Sequence, residues 1–262
     1  MTRHRPQAST SSGRARRPLA SIDPILEVAF RAADGSEHTV AAARARGVAF
    51  ECCLPMRTFT HRRDQYHTPG SYWSATLGDL VECESYLERQ WMTLLDFDPE
   101  VTAFSGQPLT FHGADPHGRW HATPDIFARL ADGSARLLEV KNPEQINDEK
   151  VLRTAERVAA ACAQLGWGYR LVGALDPQRW ANISLLHGFR RPLGAAGAAL
   201  IGQILAVTAR AVSFDELFAF IQPAELAKPV VFHLLWHGRL TCDLDAPLRG
   251  TTVLRLPNGK EQ

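Results

Sequence analysis

Between Thr123 and Asn142 the chain alternates apolar and polar positions in two short runs separated by a turn. In the first run Ile126, Ala128 and Leu130 alternate with Asp125, Phe127 and Arg129; in the second, Leu138 and Val140 alternate with Leu137, Glu139 and Lys141. Successive side chains of a strand point to opposite faces. The even positions therefore form a core face and the odd positions the other, with Asp125, Glu139 and Lys141 together. Ala131-Asp132-Gly133-Ser134 is the natural turn, because Asp-Gly tolerates the positive φ of tight hairpins. A two-residue loop at Asp132-Gly133 would pair Asp125 with Val140 and drive the acid into the core face. The pattern therefore predicts a three-residue or bulged turn, which sets Asp125 beside Glu139 and Lys141.

The flanking periodicities predict an α/β fold. Leu26–Phe30 and Val48–Glu51 suggest a small β-containing cap over 23–60 around an Asp34-Gly35 turn. His61 to Gly78 reads as a loop of mixed aromatic and basic character, suited to phosphate contact and base stacking. Leu80 to Asp96 has helical spacing through Leu87, Trp91, Leu94 and Leu95, with Glu84 and Glu88 on the stripe of Trp91 and Leu95. Val101–Phe104 and Leu109–Phe111 read as strands. Asp148 to Gly166 is a helix whose Lys150, Arg153 and Arg157 form a basic stripe; Tyr169–Val172 is a strand and Pro177–His187 a helix. This β-β-β-α-β order predicts a mixed sheet flanked by helices over 61–193. Gly194-Ala195-Ala196-Gly197 marks a boundary. Beyond it come helices over Leu200–Arg210, Ser213–Ile221 (opened by a Ser213/Glu216 capping box) and Ala227–Gly238, interrupted at Pro229. Strands at Leu240–Asp243 and Thr252–Leu256 complete a winged-helix-like α+β unit over 194–262.

Composition narrows the function classes. The chain has 262 residues, 45% hydrophobic and 22% charged, with net charge +1. The first 22 residues hold five Arg and no acid, leaving 24 basic against 28 acidic residues elsewhere, or −4. Residues 1–22 are expected to be a disordered basic tail, and nucleic-acid contact must use local patches rather than a global field. The five cysteines form no CxxC pair, which suits a reduced interior. No apolar run approaches a membrane span and no secretory apolar core is evident, so a cytoplasmic protein is expected. His233 and His237, four apart with Cys242 following, lack the spacing of a zinc site and are expected to be packed or exposed histidines.

Two carboxylates and a lysine on one spot suit a hard divalent cation, which is usually held by carboxylates, phosphate and water. The bland reading is a surface hairpin with a solvated Glu139–Lys141 ion pair. Pro124-Asp125 followed by Glu139-Val140-Lys141 resembles the PD-(D/E)xK nuclease motif, whose folds commonly take a third acid from a preceding helix; Glu88 is the candidate. The stretches YWSATLGDLVECESYLERQWMTLLDFDPEV, FSGQP, TPDIF, LLEVKNP and WANISLLHGFRRP, in that order over about Thr58 to Leu193, resemble the actinobacterial branch of the TnsA-like family, the endonuclease subunit of heteromeric transposases. The resemblance implies a restriction-endonuclease-like fold and catalytic Glu88, Asp125, Glu139 and Lys141. Asp125, Glu139 and Glu88 would hold Mg²⁺, with Mn²⁺ as a substitute. It further implies hydrolysis of one DNA strand at transposon ends beside a DDE-type transposase partner. Lys150, Arg153, Arg157, Arg62 and Arg63 are the candidate DNA contacts. Two other classes stay open: a stand-alone PD-(D/E)xK nuclease of defence or repair, and a non-catalytic DNA-binding or assembly subunit that retains the acids.

Overall fold

The computed structural model describes residues 26–57 and 70–257; the tail expected over 1–22, together with Arg62 and Arg63, lies outside the described residues. Strands β1 (Glu27–Arg31) and β2 (Glu37–Ala41) form a hairpin followed by a short helix, α1 (Ala42–Ala45), and a single 3₁₀ turn at Phe50–Cys52. Next come β3 (Gly70–Ser74), β4 (Asp79–Cys83), helix α2 (Tyr86–Phe97), β5 (Val101–Gly106), β6 (Leu109–Asp115), β7 (Gly118–Ala122), β8 (Ile126–Leu130) and β9 (Ala135–Val140). Helix α3 (Glu149–Leu165), β10 (Gly168–Val172) and α4 (Pro177–His187) follow. The C-terminal part holds α5 (Ala195–Val207), β11 (Val212–Ser213), α6 (Phe214–Phe220), α7 (Ala224–Trp236) and β12 (Val253–Leu254).

The central sheet has the order β10-β9-β8-β5, with β9 and β10 parallel across α3 and the other pairs antiparallel. Its chain order is β-β-β-α-β and the sheet is mixed, as expected, but Leu109–Phe111, expected to belong to it, lies in β6 of the other sheet. A second, antiparallel sheet, β2-β1-β6-β7, joins it through β5 and β6. Both faces of the central sheet are covered. Ile126, Ala128, Leu138 and Val140 pack with Met92 and Leu95 of α2 and with Tyr72, Val81 and Cys83 of the β3–β4 hairpin. Phe127, Ala135 and Leu137 pack on the other side with Phe50, Phe111, Trp120 and the α3 residues Val158, Ala161 and Cys162. Two-sided burial explains why the runs IFA and LLEV are apolar almost throughout rather than cleanly alternating.

The structure corrects several expected boundaries. The helix over Leu80–Asp96 begins only at Tyr86, and Asp79–Cys83 is a strand paired with β3, so the loop expected through Gly78 contains a strand as well. Ser85 sets the boundary: its hydroxyl caps the helix by accepting from the Glu88 N–H at 3.1 Å. Strand β7 follows β6 before the motif hairpin is reached; its sequence GRWHA buries only Trp120 and Ala122, too short a pattern to read. The helix expected over Leu200–Arg210 is α5, which begins at Ala195, capped by Gly194, and ends at Val207. Helix α7 runs through Pro229 without interruption. One backbone hydrogen bond is lost there, but Ala227, Val230 and Val231 bury a continuous apolar face around it. The capping box of α6 is present as expected, with Ser213 and Glu216 bonding reciprocally. Thr241 and Arg255 form a single antiparallel bridge where two strands were expected, and β12 pairs instead with β11.

Candidate active site at the end of the central sheet

The β8–β9 register is Ile126 with Leu138, Phe127 with Leu137, Ala128 with Arg136 and Arg129 with Ala135. Leu130 N–H donates to Ser134 C=O at 2.9 Å, so the loop is Ala131-Asp132-Gly133, the three-residue turn that parity requires; Gly133 takes φ +81°. Continuing the register sets Asp125 opposite Glu139. Asp125 stands where the ladder ends: its Oδ2 accepts from the Val140 N–H at 2.7 Å.

Lys141 closes the group. Its Nζ lies 3.4 Å from Asp125 Oδ2 and 3.2 Å from Glu139 Oε1, and donates to the Val140 carbonyl at 3.2 Å. Glu139 Oε2 accepts from the Tyr169 hydroxyl at 2.9 Å. The ion pair of the bland reading is therefore present but not solvated, since Asp125 and Glu139 are only 6% and 7% exposed. Glu88, 6% exposed, approaches from α2. Its Oε2 accepts from the Glu84 N–H and its Oε1 from the Ser85 hydroxyl, both at 2.9 Å. It is not paired with Arg89; Glu84 instead meets Arg57 at 3.6 Å.

Burial raises the Asp125 pKa, and the Lys141 charge and Val140 N–H only partly offset it. Burial likewise lifts Glu88 to about 7, with repulsion from Asp125 adding to it. For Lys141 burial opposes the charge, but Asp125 and Glu139 outweigh it and hold the ammonium above the ordinary lysine value. Asp125 and Glu139 thus share the one ammonium of Lys141, and Glu88 is a third buried carboxylate that Asp125 repels. Fully ionised the four groups carry an excess of two negative charges, and Asp125 Oδ1 has no donor among the described residues. This oxygen-rich, over-negative set fits a hard divalent cation. As placed, however, no three His, Cys, Asp or Glu side chains among the described residues are grouped as a metal cage.

Other residues at this end were not singled out by sequence reasoning. Tyr169 could have been found only by knowing that β10 runs parallel to β9. Gln107 gave a signal inside FSGQP without a role. It faces Asp125 across the strands, donating its N–H to the Asp125 carbonyl at 2.9 Å. It is 1% exposed at φ +49°, and both its amide Nε2 and Oε1 lack a partner among the described residues. Asp96 is a third. It accepts from Tyr72 and Ser74 hydroxyls at 2.7 Å and from the Ala75 and Thr76 N–H groups at 2.9 and 2.8 Å, clasping the β3–β4 hairpin to α2.

On the basic stripe, Arg153 pairs with Glu149 at 2.7 Å and Arg157 with Asp115 at 2.6 Å, while Lys150 is exposed. His233 Nδ1 and His237 Nε2 lie 2.9 and 3.2 Å from the carbonyl oxygens of Phe189 and Arg190, tying α7 to the segment after α4. The five cysteines are free, and among the described residues no helix is long and apolar enough to cross a membrane.

No curated protein matches the chain. Residues 98–173, which run from the end of α2 through β10 and carry Asp125, Glu139 and Lys141, match the family model described as TnsA-like endonuclease N terminal, and this supports a TnsA-like nuclease domain in that stretch.

Proposed function

We propose that the chain is the metal-dependent DNA endonuclease subunit of a heteromeric transposase, cutting one strand at transposon ends. The observation that carries this reading is the buried pair of Asp125 and Glu139 on Lys141, with Glu88 a third buried carboxylate that Asp125 repels, within or beside the stretch that matches the TnsA-like endonuclease family. Asp125, Glu139 and Glu88 would hold Mg²⁺, or Mn²⁺ in its place. A cation bound there would supply positive charge for the phosphate and would make water a better nucleophile at neutral pH. Lys141, kept charged by Asp125 and Glu139, donates from Nζ to the attacking water or to a non-bridging phosphate oxygen as negative charge builds there. Tyr169 holds Glu139 in place through its Oε2. Glu88, with a pKa of about 7, is poised to exchange a proton near neutrality.

Lys150, Arg153 and Arg157 remain candidate contacts to the DNA backbone, as do Arg62 and Arg63, which lie outside the described residues. The helices α5, α6 and α7 with the β11–β12 pair have the element content of a winged helix, a module that binds DNA or protein, and we assign it the docking of the DDE-type transposase partner. A second reading is a non-catalytic DNA-binding or assembly subunit. What favours it is that Lys141 already bonds both carboxylates, so the group is neutralised in part without any ion. The test is nicking of supercoiled DNA carrying the transposon ends, with the partner transposase present, in Mg²⁺ and in EDTA. The endonuclease reading predicts Mg²⁺-dependent nicks at the ends that disappear in Asp125→Ala and Lys141→Ala. Nicking that persists in both variants would show that the cuts come from the partner.

A further inference from the structure

Six arginine or lysine side chains of the described residues are seen in ion pairs, at Arg57, Arg129, Lys141, Arg153, Arg157 and Arg179. Arg89, Arg190 and Arg191 are not among them, and all three lie toward one region. Arg190 and Arg191, just after α4, place their guanidinium carbons each 5.3 Å from the centre of the Trp73 ring on β3. Arg89, exposed on α2 and next in sequence to Glu88, sits 5.0 Å over the ring of Tyr86. Both Arg190 and Arg89 act electrostatically on His187, which links the two sides of the patch.

Two adjacent guanidinium groups on one indole repel each other, and no carboxylate lies within 4 Å of either among the described residues to offset that repulsion. Asp96, whose charge also reaches His187, is already engaged by Tyr72, Ser74, Ala75 and Thr76. Among the described residues Arg190 is fixed from one side only: Nη1 donates to the His187 carbonyl at 2.8 Å, while Nε is buried without a partner. His187 Nε2 is buried without a partner as well, and its imidazole stacks on Tyr72 at 5.7 Å. Rings that hold guanidinium planes in place, with forked N–H donors left over, are suited to a planar or tetrahedral oxyanion.

From this geometry we infer that Arg190, Arg191 and Arg89, ordered by Trp73 and Tyr86, form a seat for consecutive backbone phosphates of duplex DNA beside the candidate active site. The inference rests on the nuclease reading above and adds to it the surface that holds the substrate. Phosphates, unlike a protein carboxylate, recur along the duplex at a spacing that several arginines can engage together, and the patch begins one residue from Glu88.

The experiment is fluorescence anisotropy with a labelled 30-base-pair duplex and full-length protein, in an Asp125→Ala background with EDTA so that no strand is cut, across a series of NaCl concentrations. Each lost phosphate contact should lower the magnitude of the slope of log K against log salt by about 0.9. Arg191→Ala should therefore reduce it by about one, and the Arg190→Ala/Arg191→Ala pair by about two, with affinity falling several-fold each time. Exposed Arg191→Glu, which leaves the Arg190–His187 contact in place, should weaken binding further than Arg191→Ala. Arg179→Ala, which removes an equal charge already paired with Asp245, should leave the slope unchanged. Arginine variants that bind with the parent's affinity and slope overturn the seat while leaving the nuclease reading intact, as does an equal loss in Arg179→Ala. A parent chain with no affinity for duplex DNA overturns the seat and the isolated subunit's hold on its substrate together.

Discussion

Glu88 carries a pKa of about 7 against an ordinary 4.5, mainly because burial disfavours its charge and secondarily because Asp125 repels it. A raised pKa means that the folded state holds the proton more tightly than the unfolded chain. The associated stability is fully present below pH 4.5 and is lost as pH rises through 7, and that gap corresponds to roughly 3 kcal/mol. Glu88→Gln keeps the shape and removes the titration. It should therefore be more stable than the parent at pH 8 in EDTA and nearly indistinguishable at pH 4.5, as measured by urea denaturation. Parallel pH profiles for the two proteins would mean that burial and Asp125 do not raise the Glu88 pKa. Tyr169 makes a smaller prediction. Removing its hydroxyl as Tyr169→Phe leaves Glu139 Oε2 without its donor and should cost about 1–2 kcal/mol of stability.

At the scale of elements, the motif hairpin was the most legible part of the chain. Side-chain parity on a strand has period two, so the positions of Asp125, Glu139 and Lys141 exclude a plain two-residue loop and require a three-residue or bulged turn. The β3–β4 hairpin was not legible. Its strands are short, and the polar contacts that hold them to α2 come from the single carboxylate of Asp96 reaching back twenty or more residues, a long-range contact with no local pattern. Asp96→Asn weakens charge-assisted acceptors and makes one oxygen a donor facing donors, so a loss of about 2–3 kcal/mol is expected. Hydrogen exchange should locate it: the Ala75 and Thr76 amides should lose protection before those of β8. Gly106 makes a related demand. A Cβ there would meet the Glu82 carbonyl oxygen of β4, which is backbone and cannot rotate away. Gly106→Ala should push β4 and α2 off the sheet, with a destabilisation of at least about 2 kcal/mol by thermal melting.

For the whole molecule, the sequence divides at Gly194, yet packing crosses that point. Ile183 and Leu186 of α4 are buried with Ile204, Val230 and Leu234 of the C-terminal helices, and Leu94 and Phe97 of α2 lean on the same cluster. Phe97 meets Trp236 edge-on at 5.3 Å. The sequence could show that each segment has an apolar face, but not which face covers which, because that depends on contacts between distant segments. The structure predicts one cooperative unfolding transition, with tryptophan fluorescence and far-ultraviolet circular dichroism coincident. Two separated transitions would show that the C-terminal helices fold as an independent unit.

Asp125, Glu139 and Glu88 are either a metal site, as proposed, or only a buried ion-pair group. Isothermal titration of the purified chain with Mn²⁺ at neutral pH, beside Asp125→Ala, separates the two without requiring the partner transposase or its DNA. Saturable binding in the parent that is lost in the variant is the predicted result. Absence of binding in the parent, or binding unchanged by the substitution, would contradict the metal site and leave Asp125 and Glu139 as partners of Lys141 alone.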